Sequence, residues 1–120
     1  MGITYVTVTL KSMPDTGKAY QAKFLVDTGA IDCVAPACEL EKIGVKRTGR
    51  MNYELADGRL VEFDFGPIQI ELMDRMTYGR VVFGPDNAEP ILGVTALESA
   101  VLKINPVTRK LEKLPASILK

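Results

Sequence analysis

The sequence predicts a mostly β, single-domain protein with one or two short helices. The chain has 120 residues, 47% of them hydrophobic. This is enough to form one hydrophobic core without disulfide bonds or a structural metal. Short runs rich in β-branched and aromatic residues recur along it, separated by Asp, Gly and Pro. Many short strands with frequent turns are typical of a β-barrel or a β-sandwich. We assign residues 1–120 to one domain, because no linker interrupts this pattern.

The first half of the chain is predicted to form two hairpins separated by a short helix. Its elements are, in order, strands at 3–10, 19–26 and 31–35, a helix over 36–43, and strands at 50–55 and 59–65. The first segment, 3–10, is rich in β-branched residues, which favour extended structure. Pro36 suits the first turn of a helix, and Gly44 suits its end. The dipeptide Asp57-Gly58 is typical of a hairpin turn.

The second half is predicted to contain further strands, a loop and a second short helix. Its elements are, in order, strands at 68–72 and 78–83, a helix at 94–100, and a hairpin of 101–104 with 110–114. Gly66-Pro67 is predicted to turn the chain before the first of these strands. The Pro- and Asn-containing segment 84–90 is predicted to be a loop.

Composition and charge exclude several classes of function. The chain has 15 basic and 15 acidic side chains and a pI near 6.3, so it lacks the electrostatic footprint of a nucleic-acid or membrane-surface protein. It has no histidine, which removes Ser-His-Asp and Cys-His catalysis. No apolar run approaches the roughly 20 residues that cross a bilayer. We therefore expect no nucleic-acid partner and no membrane association.

The two cysteines, Cys33 and Cys38, are expected to be reduced thiols. A secreted disulfide scaffold carries more cysteines, and a structural zinc site usually needs four ligands. The sequence also lacks a phosphate-binding glycine loop and a calcium-loop pattern of carboxylates. We expect a cytoplasmic protein with no metal and no cofactor.

Two Asp-Thr-Gly tripeptides occur in the chain, and their contexts differ. The copy at 15–17 follows Met-Pro and precedes Lys, which indicates an exposed turn. The copy at 27–29 follows Phe-Leu-Val and precedes Ala30, at the end of a strand that should be buried. A carboxylate there is costly unless backbone N–H groups bond to it. Asp27 is therefore the candidate for chemistry, and a turn aspartate that caps a strand end is the alternative.

Further residues strengthen the case for the second copy. Thr28 offers a hydroxyl that can anchor the loop, and Gly29 permits a close approach that a Cβ would block. Later in the chain, an apolar-apolar-Gly segment at 91–93 precedes the second predicted helix. Together these pieces resemble the retropepsin-like aspartic protease family, which has apolar-apolar-Asp-Thr-Gly-Ala near its start, a flap hairpin in the middle and apolar-Ile/Leu-Gly near its end. The resemblance covers roughly residues 20–114, in the expected order.

This resemblance implies a retropepsin-like acid protease barrel that hydrolyses peptide bonds. The catalytic residues that it implies are Asp27, Thr28 and Gly29. The substrate-binding residues that it implies are Ala30, Ala56, Asp57, Gly58 and Ile91. The hairpin around Asp57-Gly58 would be the flap that closes over a peptide or protein substrate.

The family's mechanism needs two carboxyl groups that share one proton. This chain has one Asp-Thr-Gly in the right context and is too short for a two-lobed enzyme. A two-fold homodimer would bring Asp27 of each protomer together on the axis. The tail at 114–120, with Ile118 and Leu119, is expected to add to the interface because it would otherwise expose apolar groups.

Two other functions remain open at this stage. One is a catalytically inactive retropepsin-like domain that binds peptides or serves as a dimerisation module. The other is an unrelated small β-barrel interaction domain in which Asp27 caps a turn.

Overall fold

The structure is a computed structural model that describes residues 3–117. The strands over these residues are β1 (Tyr5–Lys11), β2 (Ala19–Val26), β3 (Cys33–Pro36), β4 (Gly49–Glu54), β5 (Leu60–Leu72), β6 (Arg75–Gly84), β7 (Ile91–Leu92), β8 (Leu102–Ile104) and β9 (Leu111–Lys113). The helices are α1 (Ala37–Lys42) and α2 (Val94–Ser99). The predicted mostly β fold class with short helices is confirmed. Within 3–117 no helix is long and apolar enough to span a membrane.

Seven strands form one sheet in the order β1-β2-β7-β3-β6-β5-β4. β1 also pairs with β5, so six of these strands close into a barrel and β4 continues from β5 beyond it. β5 serves both purposes because it is long: its residues 60–65 pair with β4, whereas its residues 69–71 pair with β1. β8 and β9 form a separate hairpin.

The barrel is filled by side chains that alternate along the strands. Val8 and Leu10 on β1 are fully buried, as are Phe24 on β2 and Ile68 on β5. This period of two places one face of each strand in the core. Fully burying such a side chain contributes about 1.5–3 kcal/mol, so the core fixes the register of the strands that carry the site.

α1 lies within the helix predicted over 36–43 and is one residue shorter at each end. Pro36 precedes its first residue with extended backbone, and the chain leaves the helix through Gly44 at φ +87°. Leu40 is its buried residue, and the Leu40 carbonyl accepts a hydrogen bond from the Val45 amide at 3.0 Å. The helix therefore packs against the barrel immediately after β3.

The predicted turn at Gly66-Pro67 is wrong. β5 runs through both residues, and both pair with β6. Pro67 lies between the part of β5 that pairs with β4 and the part that pairs with β1, so its missing N–H is tolerated where β5 has one neighbour only. A Cβ at Gly66 would collide with the Lys46 carbonyl, so glycine is required here by close approach and not by a turn.

β5 and β6 form a hairpin whose turn lies at Met73-Asp74. Both residues have positive φ, 50° and 63°, as a two-residue hairpin loop of the primed type requires. Such loops usually carry Asn or Gly, so a Met-Asp pair gives little signal in the sequence.

Candidate active site

The Asp27 loop begins where β2 leaves the barrel. Val26, the last residue of β2, is 9% exposed, and β2 pairs in parallel with β7, with Val26 opposite Leu92. The Asp27 amide donates a hydrogen bond to the Leu92 carbonyl at 3.1 Å. The apolar-apolar-Gly segment is therefore beside the second Asp-Thr-Gly tripeptide, although about sixty residues separate them in the chain.

The turn that follows holds the Asp27 carboxylate in place. Oδ1 of Asp27 accepts a hydrogen bond from the Gly29 amide at 2.9 Å, and the Asp27 carbonyl accepts one from the Ala30 amide at 3.1 Å. A Cβ at Gly29 would lie 3.2 Å from that Oδ1, so a side chain there would press on the carboxylate. Asp27 is half-buried, while Thr28 and Gly29 are exposed. Asp27 is therefore partly accessible to solvent.

The segment after β7 holds the other side of this loop. The amide of Val94 donates to the Ala30 carbonyl at 2.8 Å, and the amide of Thr95 donates to the Ile31 carbonyl at 3.3 Å. Gly93 allows this contact, because a Cβ there would lie 2.5 Å from the Ile31 oxygen and 2.6 Å from the Asp32 oxygen. The start of α2 thus packs directly on the backbone of the loop.

Asp32 is a second acidic residue of the loop, and it was not among the residues predicted from the sequence. Its side chain is 10% exposed. Its Oδ2 accepts hydrogen bonds from Arg80 Nε at 3.0 Å and from the Tyr53 hydroxyl at 3.3 Å. The signal in the sequence was an acidic residue directly before the buried Cys33, where an unpaired charge is costly.

Aromatic side chains of the β4–β5 hairpin lie next to the Asp32 cluster. The Tyr53 and Phe63 rings lie 6.1 Å apart, and the Arg80 guanidinium lies 4.7 Å from the centre of the Phe65 ring. Burial raises the pKa of the Tyr53 phenol, and the negative charge of Asp32 adds to that shift. Tyr53 is therefore a neutral hydrogen-bond donor to Asp32.

The predicted flap is the hairpin of β4 and β5, and its tip is a three-residue loop, Ala56-Asp57-Gly58. The Gly58 amide donates to the Leu55 carbonyl at 2.9 Å, and Gly58 has φ +88°. Asp57 accepts hydrogen bonds from the Arg59 amide at 3.0 Å and from Arg59 Nε at 2.7 Å. All three tip residues are exposed. The tip is therefore held by local bonds, and the hairpin meets the loop after Asp27 through Tyr53.

The other predicted site residues divide between loop and sheet. Ala30 is half-buried within the Asp27 loop, whereas Ile91 is half-buried in β7, where it pairs with Leu25 and with Val34. A substrate contact for either residue stays a prediction.

The thiols and the acidic side chains of the described region form no metal site. Cys33 is buried, and burial raises the pKa of its thiol to about 11. Cys38 is also free. Across residues 3–117, no three Cys, Asp or Glu side chains converge as a set of metal ligands.

The solved structures similar to this fold include two retroviral proteases. The EIAV protease complexed with the inhibitor HBY-793 superposes with a TM-score of 0.58 and 22% sequence identity, over 81% of this chain and 86% of that protease. The simian foamy virus (mac) protease, a solution structure, gives 0.56 and 15% identity over 78% of this chain and 91% of its own. No family model and no curated protein matches the sequence. The chain has a retropepsin-like β fold, which it shares with these two retroviral proteases.

Proposed function

We propose that this protein is an aspartic endopeptidase that acts as a homodimer. A water molecule between the Asp27 side chains of the two protomers would attack the peptide carbonyl. The observation that carries the proposal is the hydrogen-bonded loop at 27–30, which presents a half-exposed carboxylate and is locked against β7 and α2. The likeness to two retroviral proteases supports it at the level of the fold.

The chemistry requires one ionised and one protonated carboxyl group. The ionised group takes a proton from water while the protonated group donates to the scissile carbonyl, and the two titrate as a coupled pair. Asp32 is a poor candidate for the second group, because its side chain is 10% exposed and its Oδ2 is already bonded to Arg80 and Tyr53. The partner of Asp27 is therefore expected to come from a second protomer.

Thr28 fits this dimeric arrangement. Its side chain is exposed, and it makes no side-chain hydrogen bond among residues 3–117. The family resemblance gives it the role of bonding across the two-fold axis, where it would hold the two loops together. The predicted tail contribution from Ile118 and Leu119 concerns residues outside the described range.

The proposed substrate is a peptide or protein segment held between the Asp27 loop and the flap. The exposed tip at 56–58 is positioned on a hairpin that projects from the barrel, as a closing element requires. We place the reaction in the cytoplasm, where the thiols of Cys33 and Cys38 would stay reduced.

Subunit mixing tests the dimeric mechanism directly. Wild-type protein is mixed with a ninefold excess of the Asp27→Asn variant, and cleavage of a peptide library is measured after time for subunit exchange. If protomers pair at random, about one wild-type chain in ten pairs with another, so activity falls about tenfold. Excess Asp15→Asn protein, with the same change of charge, is the matched control; because this variant is itself expected to be active, its mixture should show about tenfold more activity than the wild type alone.

Two results would count against the proposal. Undiminished activity in the Asp27→Asn mixture would show that each chain works alone. Wild-type protein that binds library peptides but cleaves none of them would favour the inactive peptide-binding or dimerisation domain.

A further inference from the structure

Asp32 connects two parts of the molecule that the strand pairing alone leaves apart. β3 and β6 are parallel, with Cys33 opposite Val81, so the residues just before them, Asp32 and Arg80, lie side by side. The carboxylate then reaches Tyr53 on β4. One nearly buried side chain therefore touches the loop after Asp27, the barrel wall and the flap hairpin.

Arg80 ties the same carboxylate to β5, the second strand of the flap hairpin. Its guanidinium stacks on Phe65 while its Nε bonds to Asp32. Both strands of the hairpin are thus joined to Asp32, β4 through the Tyr53 hydroxyl and β5 through Arg80 on Phe65.

This connection matters because β4 is an edge strand. Within the described residues it pairs with β5 alone, and four of its six residues are exposed. Edge strands with few buried contacts open at a low free-energy cost. The bond from Tyr53 to Asp32 is a tertiary contact that such opening must break.

We propose that Asp32 and Arg80 form a tether that holds the flap hairpin, through Tyr53, at a fixed height over the Asp27 loop. The tether deepens the proposed peptidase function, on which its catalytic consequence rests. Tyr53, Asp32 and Arg80 are positioning residues, which set the closed state of the flap. Opening and closing over a substrate then require the Tyr53–Asp32 bond to break and re-form.

The test compares Tyr53→Phe with Tyr78→Phe. The first variant removes only the hydroxyl that donates to Asp32 and keeps the ring beside Phe63. The second is the matched control, because Tyr78 is 51% exposed and, among residues 3–117, its hydroxyl bonds only the Met76 sulfur, at 3.9 Å. Native-state hydrogen exchange of the β4 amides and of the Leu55 amide is measured in both, with the amides of β2 as the internal reference.

Tyr53→Phe should raise the exchange rates in β4 about fivefold, the factor expected for one modest hydrogen bond, and leave those in β2 unchanged. The Tyr78→Phe variant should match the wild-type protein at both strands. Equal β4 exchange rates in the two variants would overturn the tether. So would a rise of the same size in β2, because it would mean a general loss of stability.

Kinetics with a cleaved peptide give a second readout that a purely structural role would not move. In Tyr53→Phe we expect KM to rise about fivefold and kcat to change less than about twofold, because the weakened element holds the substrate and does not touch the reacting atoms. An unchanged KM would remove the catalytic consequence. The exchange measurement needs no turnover, so faster β4 exchange in a protein without peptidase activity would leave the tether in place and remove the proposed function instead.

Discussion

The two Asp-Thr-Gly tripeptides form the same local hydrogen bond, although the backbone conformations of their glycines differ. In the first, the Gly17 amide donates to Oδ1 of Asp15 at 2.8 Å. In the second, the Gly29 amide donates to Oδ1 of Asp27 at 2.9 Å. The tripeptide itself therefore specifies this bond and little more. The larger differences between the two copies lie outside them.

The two turns differ in burial, in backbone hydrogen bonds to other elements and in packing. Asp15 lies in the exposed loop between β1 and β2, and a Cβ on Gly17 would meet open space. Asp27 follows a buried strand, its amide bonds to Leu92, and the start of α2 packs on the loop that it opens. A candidate site therefore depends on β7 and α2 as much as on the tripeptide.

The largest expected difference between the two turns is the effect of replacing their aspartates on peptidase activity. Asp27→Asn should lower peptidase activity by about 10²–10⁴-fold, because an amide keeps the shape of the carboxylate but cannot act as a base. Asp15→Asn should leave activity within about twofold of the wild type. Both variants are compared in kcat/KM for one cleaved peptide, with circular dichroism as the control for folding.

The opposite results would show that the catalytic role has been assigned to the wrong turn. If Asp15→Asn loses activity and Asp27→Asn keeps it, the wrong tripeptide has been assigned. If both variants keep it, carboxylate catalysis by either turn is excluded.

The glycines should show opposite effects on stability and on activity. Gly17 has φ +83°, so Gly17→Ala should cost about 1–2 kcal/mol of folding free energy and leave kcat/KM unchanged. Gly29 lacks this conformation, but its added Cβ would lie 3.2 Å from Oδ1 of Asp27. Gly29→Ala should therefore lower kcat about tenfold or more by displacing the carboxylate, with little change in stability. Urea unfolding and steady-state kinetics on the two proteins measure both effects.

Equal losses of stability in the two alanine variants would contradict this reading of Gly29. Loss of activity in Gly17→Ala at full folding would show that the first turn also matters for catalysis.

Patterns of neighbouring residues in the sequence predicted most strands and the catalytic candidate. They could not predict contacts between residues that are distant in the sequence. β2 has the predicted bounds, because its alternating pattern and its flanking turns are local features. The turn predicted at Gly66-Pro67 was wrong, because this dipeptide is compatible both with a turn and with a strand segment that has one neighbouring strand. Asp32 was missed because its partners Arg80 and Tyr53 are distant in sequence, and only the pairing of β3 with β6 brings them together.

The smallest expected differences are those between the two threonines. They separate an effect on folding stability from an effect on dimer affinity. Thr16 Oγ1 donates to the Ile43 carbonyl at 2.8 Å, so Thr16→Val should cost about 1 kcal/mol of folding stability, about 4 °C in Tm, at unchanged dimer affinity. Thr28 makes no such bond within residues 3–117, so Thr28→Val should leave the Tm of the protomer unchanged. It should raise the Kd of the dimer about tenfold, or about 1.4 kcal/mol, because its proposed partner lies on the other protomer. Thr28→Ser keeps the hydroxyl and should restore the affinity, as sedimentation equilibrium would measure. An unchanged Kd in Thr28→Val would mean that the two loops do not meet at the two-fold axis.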